Sequence, residues 1–280
     1  MNIEKKLKKL ISEFDGNVSL YIKDRKNNII KHNENDIVET ASCIKLFILI
    51  EYYNQILNNK ISRDDLICYS SKDDYVPNGS GIIQYLDDFK LSSKNIVTLM
   101  MIVSDNIATN KMIEYLGFDN INKTIKDLGF KKTTLKAKKL DFEIYNSVGE
   151  TTAYEYARAY EMLYNKEILN PELCDELIKL LSHQQLNVMI KKFLLPKDLE
   201  FINFIASKSG SLGDEENKEM INCRNDGGII STNIGDYIIS IFIRNFNDYG
   251  YYNDNEGIVL GGRISKLIFD NFKKNNGLIK

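Results

Sequence analysis

The 280-residue chain is long enough for one large domain or two coupled ones with a well-filled core. Lys and Arg number 37 against 39 Asp and Glu, a formal charge of −2, which excludes a global basic footprint for nucleic acid and a polybasic membrane arm. A hydrophobic fraction of 43% with 27% charged residues is ordinary for a globular protein.

The start, "MNIEKKLKKLISEF", spaces Ile3, Leu7, Leu10, Ile11 and Phe14 at helical intervals, which predicts an amphipathic surface helix. It lacks the continuous apolar stretch of a secretory leader. The chain as written therefore reads as cytoplasmic, or as extracellular if a leader has been removed. "NVSLYIKD" alternates like a strand, "DRKNN" is a turn and "IIKHN" starts a return strand. The longest apolar run, Ile44 to Ile50, is too short to span a bilayer. From Ala41 to about Pro196 the pattern is almost entirely helical, with runs at 43–57, 94–103, 106–116, 119–128, 152–165 and 171–182. Gly117 and Gly129 suit helix ends, and Pro171 suits a first helical turn. Strand signals return at "FINFIASKSG", "NCRNDGGIIST" and "DYIISIFIRNF". A last helix, roughly Glu256 to Lys274, carries Ile258, Ile264, Leu267, Ile268 and Phe272 on one face.

Two N-terminal and three C-terminal strands, with terminal helices to cover them, predict an α+β fold. Its core is a five-stranded antiparallel sheet built from both chain ends and flanked by helices, beside an all-helical lobe. Residues 1–280 form a single unit, with one lobe from 1–38 plus 200–280 and the other from 39–199. A cleft between lobes is the natural place for a site. Cys43, Cys68, Cys174 and Cys223 are scattered without CxxC or Cys/His clustering, and are expected as free, mostly buried thiols. The two histidines, His32 and His183, lie in no recognisable motif, so both read as structural or surface residues rather than members of a Ser-His-Asp triad.

Three short motifs carry chemistry. In Ser42-Cys43-Ile44-Lys45 a helix starting near Ser42 puts Lys45 on the same face one turn on. A serine hydroxyl needs a nearby base to act as a nucleophile. A lysine serves when burial and neighbouring positive charge lower its pKa, and Phe47, Ile48, Leu49 and Ile50 predict such burial. Alone, the same residues are a helix cap and a lysine reaching for the surface. Ser104-Asp105-Asn106 lies at the junction of two helical runs, where these residue types also serve simply as caps. Lys208-Ser209-Gly210, followed by Ser211, lies at the end of an apolar strand, where it also reads as a polar exit.

Taken together and in this order, S-x-x-K, S-D-N and K-S-G resemble the class A β-lactamases and penicillin-binding proteins. Ser209 stands where threonine is usual and keeps the hydroxyl. "VPNGSGI" (76–82), "ETTAYEYARAYEMLY" (150–164) and the strand–strand–helix ending also look like that family. The resemblance implies that Ser42 is acylated, with Lys45 as its partner and candidate base. It implies that Ser104 relays a proton to the leaving nitrogen and that Asn106 binds the substrate's amide side chain. Lys208, Ser209 and Gly210 would bind the substrate carboxylate end. The backbone N–H groups of Ser42 and Ser211 would form the oxyanion hole. It implies no metal or organic cofactor, a small-molecule β-lactam or D-alanyl peptide or ester as substrate, and a monomer.

One part of the pattern is missing. The family's deacylating glutamate lies in an E-x-x-L-N stretch, whereas this chain reads "LKAKKLDFEIYNSVGETTAYEY". The segment from Glu143 to Thr151 is also shorter than the usual loop. Glu143 is the candidate deacylating base, with Asp141 as fallback and Glu150 nearby. Without a positioned base the enzyme would acylate and stall, as a penicillin-binding D-alanyl peptidase or esterase, or a slow-clearing β-lactam binder, does.

Overall fold

The computed structural model describes residues 3–77, 79–141, 146–186, 189–217 and 219–278. In chain order these form α1 (Ile3–Ser12), β1 (Asn17–Asp24), β2 (Ile29–His32), β3 (Val38–Glu39), a 3₁₀ turn (Ala41–Ile44), α2 (Lys45–Leu57), β4 (Leu66–Tyr69) and β5 (Phe89–Ser92). Then come α3 (Ser93–Ile102), α4 (Asn106–Leu116), α5 (Phe118–Asp127), β6 (Thr134–Leu135), β7 (Gly149–Thr151), α6 (Ala153–Tyr164) and α7 (Pro171–Ser182). The chain finishes with α8 (Pro196–Leu199), β8 (Ile202–Ser207), β9 (Gly210–Leu212), β10 (Cys223–Thr232), β11 (Gly235–Arg244) and α9 (Glu256–Asn275).

The main sheet runs β2-β1-β11-β10-β8, all antiparallel, so strands from both chain ends meet at the β1–β11 pairing. Short β9 pairs with the same strand, β10, as β8 does. Ser207 faces Gly228 and Gly210 faces Asn225, with two residues between on each strand, so β8 and β9 are halves of one edge strand interrupted at Lys208 and Ser209. Each face of the sheet has its own core, sorted by the two-residue period of the strands. On β11, Ile238 and Phe242 pack toward α2 and α6, whereas Ile239, Ile241 and Ile243 pack toward α1 and α9. Every residue of β10 is buried, as expected of a strand covered on both sides.

The helical segment between β3 and β8 is built around α2, which is buried nearly all round, Lys45 and Glu51 included. Such a helix is central by composition rather than amphipathic. The segment is less uniformly helical than its periodicity predicts. β4 pairs with β5 from Leu66↔Ser92 to Tyr69↔Phe89, and β7 pairs with both β3 and β6. These ladders of two to four residues bring together stretches distant in sequence and leave no run long enough to alternate. Cys43, Cys174 and Cys223 are buried and Cys68 is exposed, all as free thiols. Among the described residues no helix is long and apolar enough to cross a membrane.

Candidate active site

The chain leaves β3 at Glu39, turns through Thr40, and enters the 3₁₀ turn at Ala41, which has a left-handed φ of +44°. In a 3₁₀ turn residues three apart eclipse one another. Ser42 and Lys45 therefore lie on one side. Ser42 is half-buried at the cleft, while Lys45 is fully buried one turn deeper. The turn is held from behind: Asn225 on β10 donates its side-chain amide to the carbonyls of Glu39 (2.9 Å) and Thr40 (3.3 Å). The Ala41 N–H donates to the Glu39 carboxylate at 3.0 Å.

Lys45 Nζ donates to Ser104 O at 2.7 Å, Ser104 Oγ at 3.0 Å and Asn106 Oδ1 at 2.9 Å. These three bonds use every proton of an ammonium. Burial, and next the charge of Lys208, hold the Lys45 pKa well below its ordinary value. Losing one proton gives Lys45 a lone pair on a side chain eclipsed with Ser42. Lys208 Nζ reaches the same hydroxyl, donating to Ser104 Oγ at 3.0 Å and to Ser209 O at 2.7 Å. Ser104 Oγ thus accepts from two lysines, which fills both its lone pairs and leaves its own proton free to point elsewhere. Burial lowers the Lys208 pKa to about 8, against the raising influence of buried Asp226 on β10. The Asp226 carboxyl is itself pushed up to about 6 by burial.

Backbone strain aims Ser104. Its φ is +57°, unusual for a residue with a side chain. Neighbouring Asp105 fixes the turn: one carboxylate oxygen caps α4 by accepting from Ala108 N at 2.9 Å, and the other accepts from Ile82 N at 2.7 Å and Ile83 N at 2.8 Å. This approach requires glycine at 81, where φ is +112° and a Cβ would lie 2.2 Å from Asp105 Oδ2. Ser80 adds a hydroxyl, donating to Ser104 O at 2.8 Å and Asn106 Oδ1 at 3.2 Å.

On the opposite wall, Gly210 lets β9 press against the nucleophile turn. A Cβ there would lie 2.8 Å from both Ser42 N and Cys43 N and 2.7 Å from Thr40 O. Ser42 and Ser211 both line the resulting cleft of about 580 Å³, together with Ser80, Asn106, Met220 and Tyr251. Lys45, Ser104, Asn106 and Lys208 are thus brought into one hydrogen-bonded cluster, with Ser42 and Ser211 at its mouth. Ser209 is not aimed the same way: its hydroxyl donates to Leu186 O at 2.8 Å. Glu143 lies outside the described residues, and Asp141 is half-buried beside Leu140 at the start of the same loop.

Sequence reasoning gave no role to Ser80, Glu39, Asn110 or Arg224. Asn110 on α4 exchanges two bonds with Leu140, accepting from Leu140 N at 2.6 Å and donating to Leu140 O at 3.1 Å. Arg224 is fully buried and fans out to Leu212 O, Asn222 Oδ1, Cys223 O, Tyr249 O and Gly250 O, with Tyr251 stacked 4.7 Å from its guanidinium carbon. It fastens the cleft rim to β10. The one local signal was an arginine inside an otherwise buried strand.

The fold has close counterparts among solved structures. A β-lactamase from Sphaerobacter thermophilus superposes with a TM-score of 0.84 at 24% identity, covering 98% of each chain. PBP-A superposes at 0.82 with 20% identity, over 97% of this chain and 96% of its own. The extended-spectrum β-lactamase TLA-3 superposes at 0.83 with 20% identity, over 96% and 98%. At these identities the likeness establishes the β-lactamase/transpeptidase fold. No curated protein matches the chain. The profile of the β-lactamase enzyme family, however, matches residues 2–272, nearly the whole sequence. The chain belongs to the β-lactamase enzyme family.

Proposed function

We propose that this protein is a serine hydrolase that is acylated on Ser42 by β-lactams and hydrolyses the adduct. The observation that carries the reading is the buried Lys45–Ser104–Lys208 chain, with both Nζ atoms 3.0 Å from one hydroxyl. In this mechanism neutral Lys45 takes the Ser42 proton as Oγ attacks the lactam carbonyl. The N–H groups of Ser42 and Ser211 receive the oxyanion, a charge present only in the transition state. The lactam C–N bond breaks as Ser104 passes its proton to the nitrogen, and Ser104 is reprotonated from the adjacent lysines. Lys208 and Asn106 bind the substrate's carboxylate and amide. Ser209 joins only after its hydroxyl turns away from Leu186. A carboxylate of the 136–148 loop, Glu143 or in its place Asp141, then activates water to clear the ester.

The absence of E-x-x-L-N favours one second reading on the same site, a penicillin-binding D-alanyl peptidase or esterase whose penicillin adduct persists. Intact-mass spectrometry after mixing with a penicillin and a cephalosporin tests both, with Ser42→Ala alongside. A Ser42-dependent adduct that disappears while drug is consumed is the expected result. A persistent adduct moves the protein to the second reading, and an absence of adduct and of drug consumption overturns both.

A further inference from the structure

Ser80 stands on the cleft wall, in the segment between β4 and β5, and the mechanism above gives it no part. Its hydroxyl reaches two oxygens, Ser104 O at 2.8 Å and Asn106 Oδ1 at 3.2 Å. Both also accept from Lys45 Nζ, at 2.7 Å and 2.9 Å. The third acceptor of Lys45, Ser104 Oγ, takes its second bond from Lys208. Every oxygen that binds Lys45 therefore has another donor in reach. Among the described residues, Lys45 and Ser80 are the side chains that donate to Ser104 O and Asn106 Oδ1. An ammonium has three protons for its three acceptors, whereas a neutral amine has two and a lone pair. Turning that lone pair to Ser42 takes one N–H away from an oxygen of Ser104 or Asn106, both buried residues. A buried acceptor left without a donor is costly. Lys208 covers the loss at the Ser104 hydroxyl. Ser80 covers it at either carbonyl oxygen by rotating its one O–H.

We propose that Ser80 is a positioning residue that stands in as donor to Ser104 O or Asn106 Oδ1 when Lys45 gives up a proton, and so holds the neutral lysine ready to take the Ser42 proton. This rests on the acyl-enzyme chemistry proposed above. In that step the Lys45 lone pair takes the proton as the bond from Ser42 Oγ to the lactam carbon forms. Lys45 regains three N–H groups, and Ser80 neither gains nor loses a proton. The charged and titratable groups facing Lys45 are Lys208 from the strand break, Asp105 from the cap of α4 and Cys43 from its own turn. Lys208 favours the neutral lysine and Asp105 opposes it, while burial pushes the Cys43 thiol up to about 12. Ser80 adds no charge to this set and acts only through its donor. The segment around it does not need the hydroxyl to keep its shape. Ser80 O accepts from Asn106 N at 2.9 Å, and the Asp105 carboxylate holds Ile82 N and Ile83 N. Gln84 Nε2 donates to Gly79 O at 2.8 Å and to Gly81 O at 3.2 Å.

The test is the pH dependence of acylation by a saturating penicillin, followed by quenched-flow mass spectrometry in wild type, Ser80→Ala and Ser80→Thr. At saturation the profile reports the groups of the bound complex, in which drug covers the cleft wall and water does not replace the deleted hydroxyl. We expect Ser80→Ala to disfavour the neutral lysine and move the acid limb of the profile up by about 0.5–1 pH unit, the size set by one hydrogen bond. On that limb the rate rises with pH, so acylation there slows about three- to tenfold, and above it the rate returns to the wild-type value. Ser80→Thr keeps the hydroxyl and with it the wild-type limb. The experiment reads acylation alone, so it applies whether or not the adduct clears. A loss of equal size at every pH, which a merely displaced Asn106 would give, overturns the proposal. An unchanged profile in Ser80→Ala overturns it too, as does the same shift in Ser80→Thr. Absence of any Ser42-dependent adduct in wild type instead overturns the acyl-enzyme reading itself, and this proposal with it.

Discussion

Lys208 shows how a residue can serve the site against the interest of the fold. It is fully buried, and its pKa of about 8 lies below the lysine value of 10.5 because burial disfavours its charge. Below pH 8 both folded and unfolded chains carry this proton, and the folded state bears the whole desolvation penalty, roughly 3 kcal/mol from that difference. Between about 8 and 10.5 the unfolded chain binds more protons than the folded one, so the Lys208 contribution makes stability rise with pH across that window. Lys208→Met removes the penalty and loses the bonds to Ser104 Oγ and Ser209 O, each worth about 1.5 kcal/mol for a charged donor, so the two effects nearly offset. The expected outcome at pH 7 is a variant about as stable as wild type in urea unfolding, and about a hundredfold or more slower to be acylated by an anionic β-lactam. Wild-type KM for such a substrate rises as pH increases through about 8, where the cation is lost. A variant that is both less stable and equally reactive would contradict this account of the lysine.

Among the elements, the interrupted edge strand decides the geometry of the cleft. β8 and β9 share a partner, and the break between them turns Lys208 inward while β9 runs on beside the nucleophile turn. At Gly210 the two backbones lie close together. Gly210→Ala sets a methyl group 2.8 Å from Ser42 N, so either β9 or the turn must retreat by several tenths of an ångström. Loss of one oxyanion donor lowers the chemical rate by about 10²–10³, and we expect a fall of that size in acylation rate, with near-normal secondary structure by circular dichroism. The K-S-G motif itself was legible in the sequence, as were S-x-x-K and S-D-N, because each compresses its chemistry into three or four neighbouring residues. The sheet strands were equally legible from their alternation and apolar runs. What the sequence did not reveal was long-range partnership. Ser80 meets Ser104 across 24 positions, and Glu39 meets Ser147 across 108. Ser80 and Ser147 in loops and Glu39 at the end of β3 are individually unremarkable polar residues, and nothing in their local pattern encodes the partner. The two-residue ladders β3–β7–β6 were invisible for the same reason.

For the molecule as a whole, a long helical segment inserted between β3 and β8 must be held at a fixed angle to a sheet that begins and ends elsewhere in the chain. Tyr156 on α6 stands at that junction. Its ring is fully buried, edge-on to Phe242 of β11 at 5.4 Å and to Tyr160 at 5.3 Å, and 6.4 Å from Phe47 of α2. It lies over Gly227 of β10, where a Cβ would be 2.7 Å from the ring. Its hydroxyl donates to Lys208 O at 2.8 Å, so one side chain joins both helices, two strands and the backbone of a site lysine. Cys43, next to the nucleophile, gives the same carbonyl a weaker second donor at 3.4 Å. Tyr156→Phe keeps the packing and removes only the stronger donor. It should cost about 1–2 kcal/mol, the usual penalty for one buried polar group losing its better partner. Tyr156→Ala leaves a cavity among these rings and should cost about 3–5 kcal/mol. Urea unfolding checks both values, with an unchanged m-value for the phenylalanine variant showing that the folded state keeps its compactness. If the hydroxyl also fixes Lys208, Tyr156→Phe raises KM for an anionic substrate more than it lowers kcat, because it leaves the Lys45–Ser104 bonds intact. A fall in kcat alone would place the influence of Tyr156 on the Ser42 turn, through Cys43, instead of on the lysine.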